Sequence, residues 1–327
     1  MIQTLGEFDI IKTYFSPLTL SEEGAFSLTD DAAIMEIPNG RGLVVTTDTL
    51  VEGIHFLSED LPENIAAKLL RVSLSDLAAM GSTPAYYNLS IATKASTKAD
   101  WFKAFASGLL ADQVEFGITL IGGDTVATSG PITLSITAMG LVEKGRAIRR
   151  NGAKLGDDIW VSGPIGDAAL GLMSATGKLR KISDKNRKYL ISRYTKPIPQ
   201  TLLAPKLTKY VNSAIDISDG LIADLKHICE ASNLGARVQI ADVPLSRAAK
   251  IVLAEEPGYM DLILGGGDDF ELLFTADKSF RTIAKSLTKD FDVSLTKIGM
   301  MVRGRSVEMF DVDGQEYSIS KIGYTHF

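Results

Sequence analysis

The stretch EKGRAIRRNGAKLGD, residues 143–157, divides the chain. It is polar, basic and punctuated by glycine, the composition of a segment that joins domains rather than one that packs inside a core. Alternating strand and helix patterns run up to it and start afresh beyond it. On its N-terminal side, Leu43, Val44, Val45, Thr46 and Thr47 read as a strand ending at Asp48. Residues 63–80 read as a helix opened by Pro62, residues 85–93 as a strand, and residues 99–116 as a helix closed by Gly117. A short apolar strand, ITLI (118–121), runs into Gly122-Gly123-Asp124. In 132–142, Ile132, Leu134, Ile136 and Ala138 alternate with Thr133, Ser135 and Thr137, the period of a half-buried strand. Beyond the joint, strand 158–162 leads to Gly163-Pro164 and a helix from Asp167, and strand 213–217 leads to Ser218-Asp219-Gly220 and a helix to Asn233. Further strands lie near 236–240 and from Phe270 to Thr275, the latter after Gly265-Gly266-Gly267-Asp268-Asp269. Both halves mix helices and strands, so the class is α/β (α+β) in two domains; strand order is not contained in the pattern.

The totals agree with two domains. The chain has 327 residues, 45% hydrophobic and 23% charged, enough for two ordinary cores. With 34 basic against 40 acidic residues, a net of −6, a nucleic-acid surface is excluded. A single cysteine, Cys229, excludes a disulfide framework and a multi-cysteine metal site. No apolar run is long enough to span a bilayer, and the start MIQTLGEFDII lacks a basic leader, so a soluble, cytoplasmic protein is expected.

Aspartates recur at the strand ends read from the pattern, several beside glycine: Asp30-Asp31, Asp48, Asp124, Asp216, Asp219 and Asp268-Asp269. Each alone reads equally as a turn residue. As a set fed by apolar strands, they read as carboxylates projecting into a crevice. Asp76 falls on the helical stripe of Ile65, Leu69 and Val72, where a carboxylate needs an ion pair with Arg71, a capping role, or a metal. Carboxylates with the hydroxyls of Thr46, Thr47 and Ser218 make hard oxygen sites suited to Mg²⁺, and Mg²⁺ held by aspartates commonly serves phosphates, ATP among them. Without the nine aspartates singled out, basic residues outnumber acidic ones, so the acidity reads as gathered in one crevice. Phosphate-binding loops of the G-x-x-x-x-G-K-[ST] and G-x-G-x-x-G kinds are absent, as is EF-hand spacing. His227 reads as an ordinary helical residue; His55, past the Thr-Thr-Asp strand, is a candidate for contact with an anionic substrate, and the aromatic pair around His326 in the terminal GYTHF reads as a terminus docked near a site. Arg149-Arg150 reads as a solvated turn or as a phosphate clamp.

Taken in order, TTDTLVEGIHF (46–56), LSDLAAMG (74–81), LIGGDT (120–125), DISDGL (216–221), GGDDFEL (266–272) and the GY-x-HF terminus resemble the thiamine-monophosphate kinases, over essentially the whole chain. That family belongs with aminoimidazole-ribonucleotide synthetase, selenophosphate synthetase and a hydrogenase maturation factor. The resemblance implies an N-terminal ATP/Mg²⁺-binding and dimerisation domain over 1–145 and a C-terminal α/β domain over 146–327 that completes the active site. N-terminal domains are expected to pair across a homodimer. It implies transfer of the ATP γ-phosphoryl group to thiamine monophosphate, giving thiamine diphosphate, by direct in-line attack. Carried over by motif, Asp30 or Asp31, Thr46, Thr47, Asp48, Asp76, Asp124, Asp216 and Asp219 would hold several Mg²⁺ ions. Gly123, Asp124, Arg150 and Ser218 would contact ATP, and His55, Asp268 and Tyr324 the thiamine phosphate. Asp48, Asp76, Asp124 and Arg150 would carry the catalysis, with Tyr324 able to stack on cationic rings. The chain departs from the family pattern at Thr29 (usually glycine), Asp268 (usually glutamate) and Thr325 (usually aspartate). A selenophosphate- or aminoimidazole-type enzyme and a non-catalytic nucleotide-binding regulator are the other readings. The want of an N-terminal reactive cysteine counts against selenide chemistry.

Overall fold

The computed structural model describes residues 6–20, 22–179, 181–319 and 323–324. The chain separates into two compact units. The first comprises the described residues up to Leu77 together with Ser82–Gly145; the second comprises Ala78–Gly81 and the described residues from Arg146 onward.

The first unit opens with a short helix, α1 (Glu7–Ile10), and single turns of helix that reach Leu28. Its sheet is built from β1 (Arg41–Val51), β2 (Thr83–Thr93), β3 (Thr119–Ala127) and β4 (Thr133–Glu143), in the order β1-β4-β2-β3. β4 runs antiparallel to both β1 and β2, whereas β2 and β3 are parallel and are joined by α3 (Ala99–Phe116), the crossover a parallel pair needs. In β4 one face is buried and the other is not, as the alternation predicts: Leu134, Ile136 and Ala138 are fully buried, while Thr133, Ser135 and Thr137 are not; edge strand β1 alternates between exposed and partly buried residues, with Leu50 alone fully covered. Helix α2 (Pro62–Ala79) is buried almost all round, Lys68, Arg71, Ser73 and Ser75 along with Ile65, Ala66, Leu69, Leu70 and Leu74, so it is an interior helix rather than one carrying a single stripe. Arg71 on α2 forms a two-pronged ion pair with Asp112 of α3, at 2.8 and 2.7 Å, and reaches Glu115 at 2.9 Å.

Two strands are longer than the sequence suggests. β1 continues through Asp48 to Val51, and β3 continues through Gly122-Gly123-Asp124 to Ala127. Asp48 and Asp124 therefore sit within strands, not at their ends. The β2–β3 ladder tolerates the two glycines because its register shifts between Tyr87 and Asn88. A Cβ on Gly123 would lie 1.9 Å from the Leu89 carbonyl oxygen, so the strands approach too closely there for a side chain.

The second unit contains β5 (Asp158–Ser162), α4 (Asp167–Ala175), α5 (Asp184–Thr195), α6 (Ala204–Leu207), β6 (Val211–Asp216), α7 (Leu221–Ser232) and β7 (Gly235–Gln239). After these come α8 (Arg247–Glu255), α9 (Met260–Gly265), β8 (Leu272–Ala276), α10 (Phe280–Phe291), β9 (Leu295–Val302), β10 (Val307–Phe310) and β11 (Glu316–Tyr317). Its strands form one sheet in the order β11-β10-β7-β9-β5-β8-β6. β5 is central and buried on both faces. Ile159 and Val161 join a core with Leu225, Ile228 and Ile298. Trp160 faces the opposite way, into a second core with Phe274, Phe280, Leu203 and Leu207 that also takes in Ala78 and Ala79. A buried polar knot spans this unit: Glu271 accepts from Ser162 at 2.7 Å, Arg193 at 2.8 Å and Gln200 at 3.0 Å.

Candidate active site

In the first unit, Thr46 and Asp48 point from β1 toward α2. The Thr46 hydroxyl donates to Asp76, and the Ser73 hydroxyl donates to Asp48 Oδ2 at 2.6 Å. Burial, then the charge of Asp76, push the Asp48 carboxyl up to about 6 against the opposing Ser73 hydrogen bond. Two carboxylates held this way repel each other, a repulsion that a divalent cation relieves. With two hydroxyls beside them, the donors are all hard oxygens, a set that fits Mg²⁺.

Thr47 lies on the other face of the same strand. Its hydroxyl pairs with that of Thr137 at 3.0 Å. Thr137 lines a cavity of about 730 Å³ together with Asp30, Asp31, Gly123, Asp124 and Asn88. The first unit thus sorts its expected metal ligands onto two faces of one sheet rather than into a single crevice. The reason is the strand period of two: once β1 is regular through Asp48, Thr46 and Thr47 cannot face the same way. His55 follows β1 in a tight turn, where its Nδ1 accepts the Val51 N–H at 3.0 Å and its carbonyl accepts from Lys68 at 2.9 Å. The accepting Nδ1 leaves Nε2 as the ring position that carries the proton in the neutral imidazole.

In the second unit the chain leaves β6 at the buried Asp216 and turns through Ile217-Ser218-Asp219-Gly220 into α7. The loop before β8 lies against this turn. Asp268 N–H donates to the Ser218 carbonyl at 2.8 Å, and Phe270 N–H donates to the Ile217 carbonyl at 2.8 Å. Asp268 and Phe270 both take positive φ, 63° and 51°, conformations that ordinary side chains avoid and functional loops retain. Gly267 has φ 72°, and a Cβ there would lie 2.3 Å from the Ser218 carbonyl oxygen, so glycine is required twice over. Tyr324 N–H donates to the Asp219 carbonyl at 3.1 Å. Ser218, Asp219, Asp268 and Tyr324, four expected site residues, therefore meet around one turn. Thr325 and His326 lie outside the described residues.

Arg150 is the exception. It is exposed, in a short turn whose carbonyl accepts from Ser232 at the C-terminal end of α7. Ser218 lies at the N-terminal end of that helix. The helix is twelve residues long, about 18 Å, so Arg150 and Ser218 stand at opposite ends of α7.

One residue escapes the sequence reading, Asp224, and one that it reads as a crevice carboxylate, Asp269, is buried in a structural role instead. Asp224 is buried on α7, where its Oδ2 accepts the N–H groups of Ser218, Asp219 and Gly220, each at 3.1 Å. Its carboxyl is pushed up to about 7 by burial and by Asp219. The signal was available: Asp224 falls on the apolar stripe of Leu221, Leu225 and Ile228, as Asp76 does on its own helix. Asp269 is buried and accepts from Gly166 N–H at 2.7 Å and Ala168 N–H at 3.3 Å, tying the loop before β8 to the start of α4.

The two units and their acidic turns define a class. Residues 29–142 match the AIR synthase related protein, N-terminal domain, and residues 154–311 match the AIR synthase related protein, C-terminal domain. Thiamine-monophosphate kinase of Escherichia coli strain K12 is 39% identical over 323 residues, 98% of each chain. The crystal structure of thiamine-monophosphate kinase from Stenotrophomonas maltophilia K279a superposes with TM-score 0.84 at 40% identity, covering 92% of this chain and 95% of that one. AaThiL complexed with AMPPCP and TMP superposes with TM-score 0.78 at 29% identity, over 99% and 97% of the two chains. The chain belongs to the thiamine-monophosphate kinase family.

Proposed function

We propose that this protein transfers the γ-phosphoryl group of ATP to thiamine monophosphate, forming thiamine diphosphate. The observation that carries the reading is the Asp48–Asp76 pair, two repelling carboxylates ringed by hydroxyls in a chain similar to such kinases from end to end. The relative solved with AMPPCP and TMP supports the same pair of small molecules here.

The acceptor is a phosphate oxygen, anionic near neutral pH, so no strong general base is required. The obstacle is bringing one anion to another, and positioning with charge neutralisation carries most of such a transfer. Mg²⁺, when bound, supplies positive charge to the phosphate oxygens. Asp48 and Asp76, with Thr46, would hold one such ion; Asp30, Asp31, Thr47 and Asp124 form a second group of candidate ligands, and Asp216 and Asp219 a third. Gly123, Ser218 and Arg150 are the proposed contacts to ATP. His55, Asp268 and Tyr324 are the proposed contacts to thiamine monophosphate. In the second unit, the positive-φ loop sets Asp268 beside the Ser218 turn. We place the protein in the cytoplasm and assign it as a homodimer. Leu43 and Val45, 43% and 54% exposed on the edge strand β1, offer apolar surface of the kind a second copy covers.

ADP release, coupled to a spectroscopic readout and measured with ATP, Mg²⁺ and thiamine monophosphate, tests the reading. Stimulation by thiamine monophosphate is expected; folded protein that shows none overturns it.

A further inference from the structure

We propose that Asp224 is a positioning residue that holds the Ser218–Gly220 turn in its working shape. Ser218 and Asp219 enter only through the phosphotransfer reading above, on which this proposal rests. A single carboxylate oxygen, Oδ2, accepts three consecutive backbone N–H groups, from Ser218, Asp219 and Gly220, each at 3.1 Å. Asp224 is 2% exposed, so water does not compete for these bonds. Its own N–H donates to the Gly220 carbonyl at 3.0 Å, which ties the first turn of α7 to the loop a second time.

Three N–H groups converging on one point form the kind of concavity that captures phosphates and carboxylates. Here the chain supplies its own anion. The turn depends on it, because the remaining bonds of the turn face outward to other parts of the site. The Ser218 carbonyl is taken by Asp268 N–H and the Asp219 carbonyl by Tyr324 N–H. Asp224 is thus the common anchor behind a turn on which Asp268 and Tyr324 both hang. Gly220 fits the same account. It sits at φ 132°, and a Cβ there would lie 2.8 Å from the Gly265 carbonyl carbon, so the turn is clamped in front by the end of α9 and behind by Asp224. Asp224 also lies close to Asp219, whose carboxylate, with that of Asp224 and a ring nitrogen of His227, offers ligand atoms within 4.8 Å of one another. A direct role as an ion ligand is therefore the reading to be separated from bracing.

Asp224→Ala removes the acceptor, and Asp224→Asn keeps an acceptor oxygen of the same reach while removing the charge. Backbone amide exchange in the full-length protein reads the brace without reference to turnover. Asp224→Ala is expected to speed exchange at Ser218, Asp219 and Gly220 by about tenfold or more, with β5 and β8 unchanged. The KM for ATP–Mg²⁺ is expected to rise about tenfold while kcat stays within about threefold. Asp224→Asn is expected to keep both exchange and KM within about threefold of the wild type. An alanine variant with wild-type exchange and KM overturns the proposal, as does an asparagine variant as impaired in KM as alanine, which would make the charge and not the acceptor decisive. Should the wild type itself show no turnover with thiamine monophosphate, the phosphotransfer reading fails, and the exchange rates still decide the role of Asp224. Should the alanine variant not fold, the asparagine variant decides by the same two readouts.

Discussion

Replacing Asp48 by asparagine should make the protein more stable and less active at once. Burial and the neighbouring Asp76 hold the Asp48 carboxyl at about 6, above its value near 4 in an unfolded chain. A carboxyl raised on folding favours the fold below about pH 4 and withdraws that favour as pH climbs through 6. At pH 8 the ionised pair costs the metal-free protein up to about 3 kcal/mol, at roughly 1.4 kcal/mol for each unit of pKa. Asp48 is only half-buried, and solvent screening brings the figure to about 1–2 kcal/mol. Asparagine keeps the acceptor for the Ser73 hydroxyl and removes the charge. In EDTA at pH 8, the variant should melt about 2–8 °C above the wild type. At pH 4, where the wild-type carboxyl carries its proton, the gain should vanish. The same substitution should cut Mg²⁺-dependent ADP release by roughly 100-fold or more, because a charged ligand is lost where phosphoryl charge must be neutralised. Calorimetry in EDTA and the coupled assay check the two halves. An Asp48→Asn variant that melts below the wild type at pH 8, or one that turns over at the wild-type rate, refutes the account of a repelling, cation-seeking pair.

Three other outcomes are expected. Adding Mg²⁺ should raise the melting temperature more at pH 8 than at pH 5, since protons compete with the ion for Asp48; equal shifts at both pH values count against it. Arg193→Leu leaves the Glu271 carboxyl, which burial already pushes up to about 7, without its cation; it should cost about 3–5 kcal/mol at pH 8 and clearly less at pH 5, where Glu271 takes up a proton, as read by urea melts. Gly267→Ala forces a Cβ to within 2.3 Å of the Ser218 carbonyl oxygen at positive φ; it should raise the KM for thiamine monophosphate well above its effect on kcat, and unchanged steady-state kinetics would remove the loop from the site.

The elements most legible from the sequence were those with local signals. Pro62 and Gly117 bracket α2 and α3 as helix starts and stops do, and the alternation of 132–142 reproduces the buried face of β4. Glycine was misleading where tertiary context overrode it. Gly122-Gly123 looks like the end of a strand, yet β3 runs through it, because the neighbouring strand comes so close that only glycine fits. Asp48 and Asp124 both read as strand ends, yet each lies inside a strand, and the pleat sends Thr46 and Asp48 to one face and Thr47 with the Asp124 cavity to the other. In the second unit, DISDGL and GGDDFEL identified two loops without revealing that they pair by main-chain bonds. Main-chain bonds such as Phe270 N–H to the Ile217 carbonyl leave no side-chain signature. Asp224 is within reach of the sequence, for it is a carboxylate on the apolar stripe of Leu221, Leu225 and Ile228, and such a residue has to find donors.

The second unit is not a continuous piece of chain. Ala78–Gly81, the tail of α2 and the turn after it, belongs to it, and Ala78 and Ala79 are buried in the core of Trp160, Phe274 and Phe280. Gly81 is packed so closely that a Cβ there would lie 2.4 Å from the Thr208 methyl carbon. A gene fragment beginning at Arg146 would encode a body with a hole in its side and exposed aromatic surface around it. Exchange of halves between relatives, by recombination or by a protein engineer, would have to carry a four-residue passenger from the other half. In lineages that shuffle these halves, that tetrapeptide should travel with the C-terminal half or be selected again after each exchange.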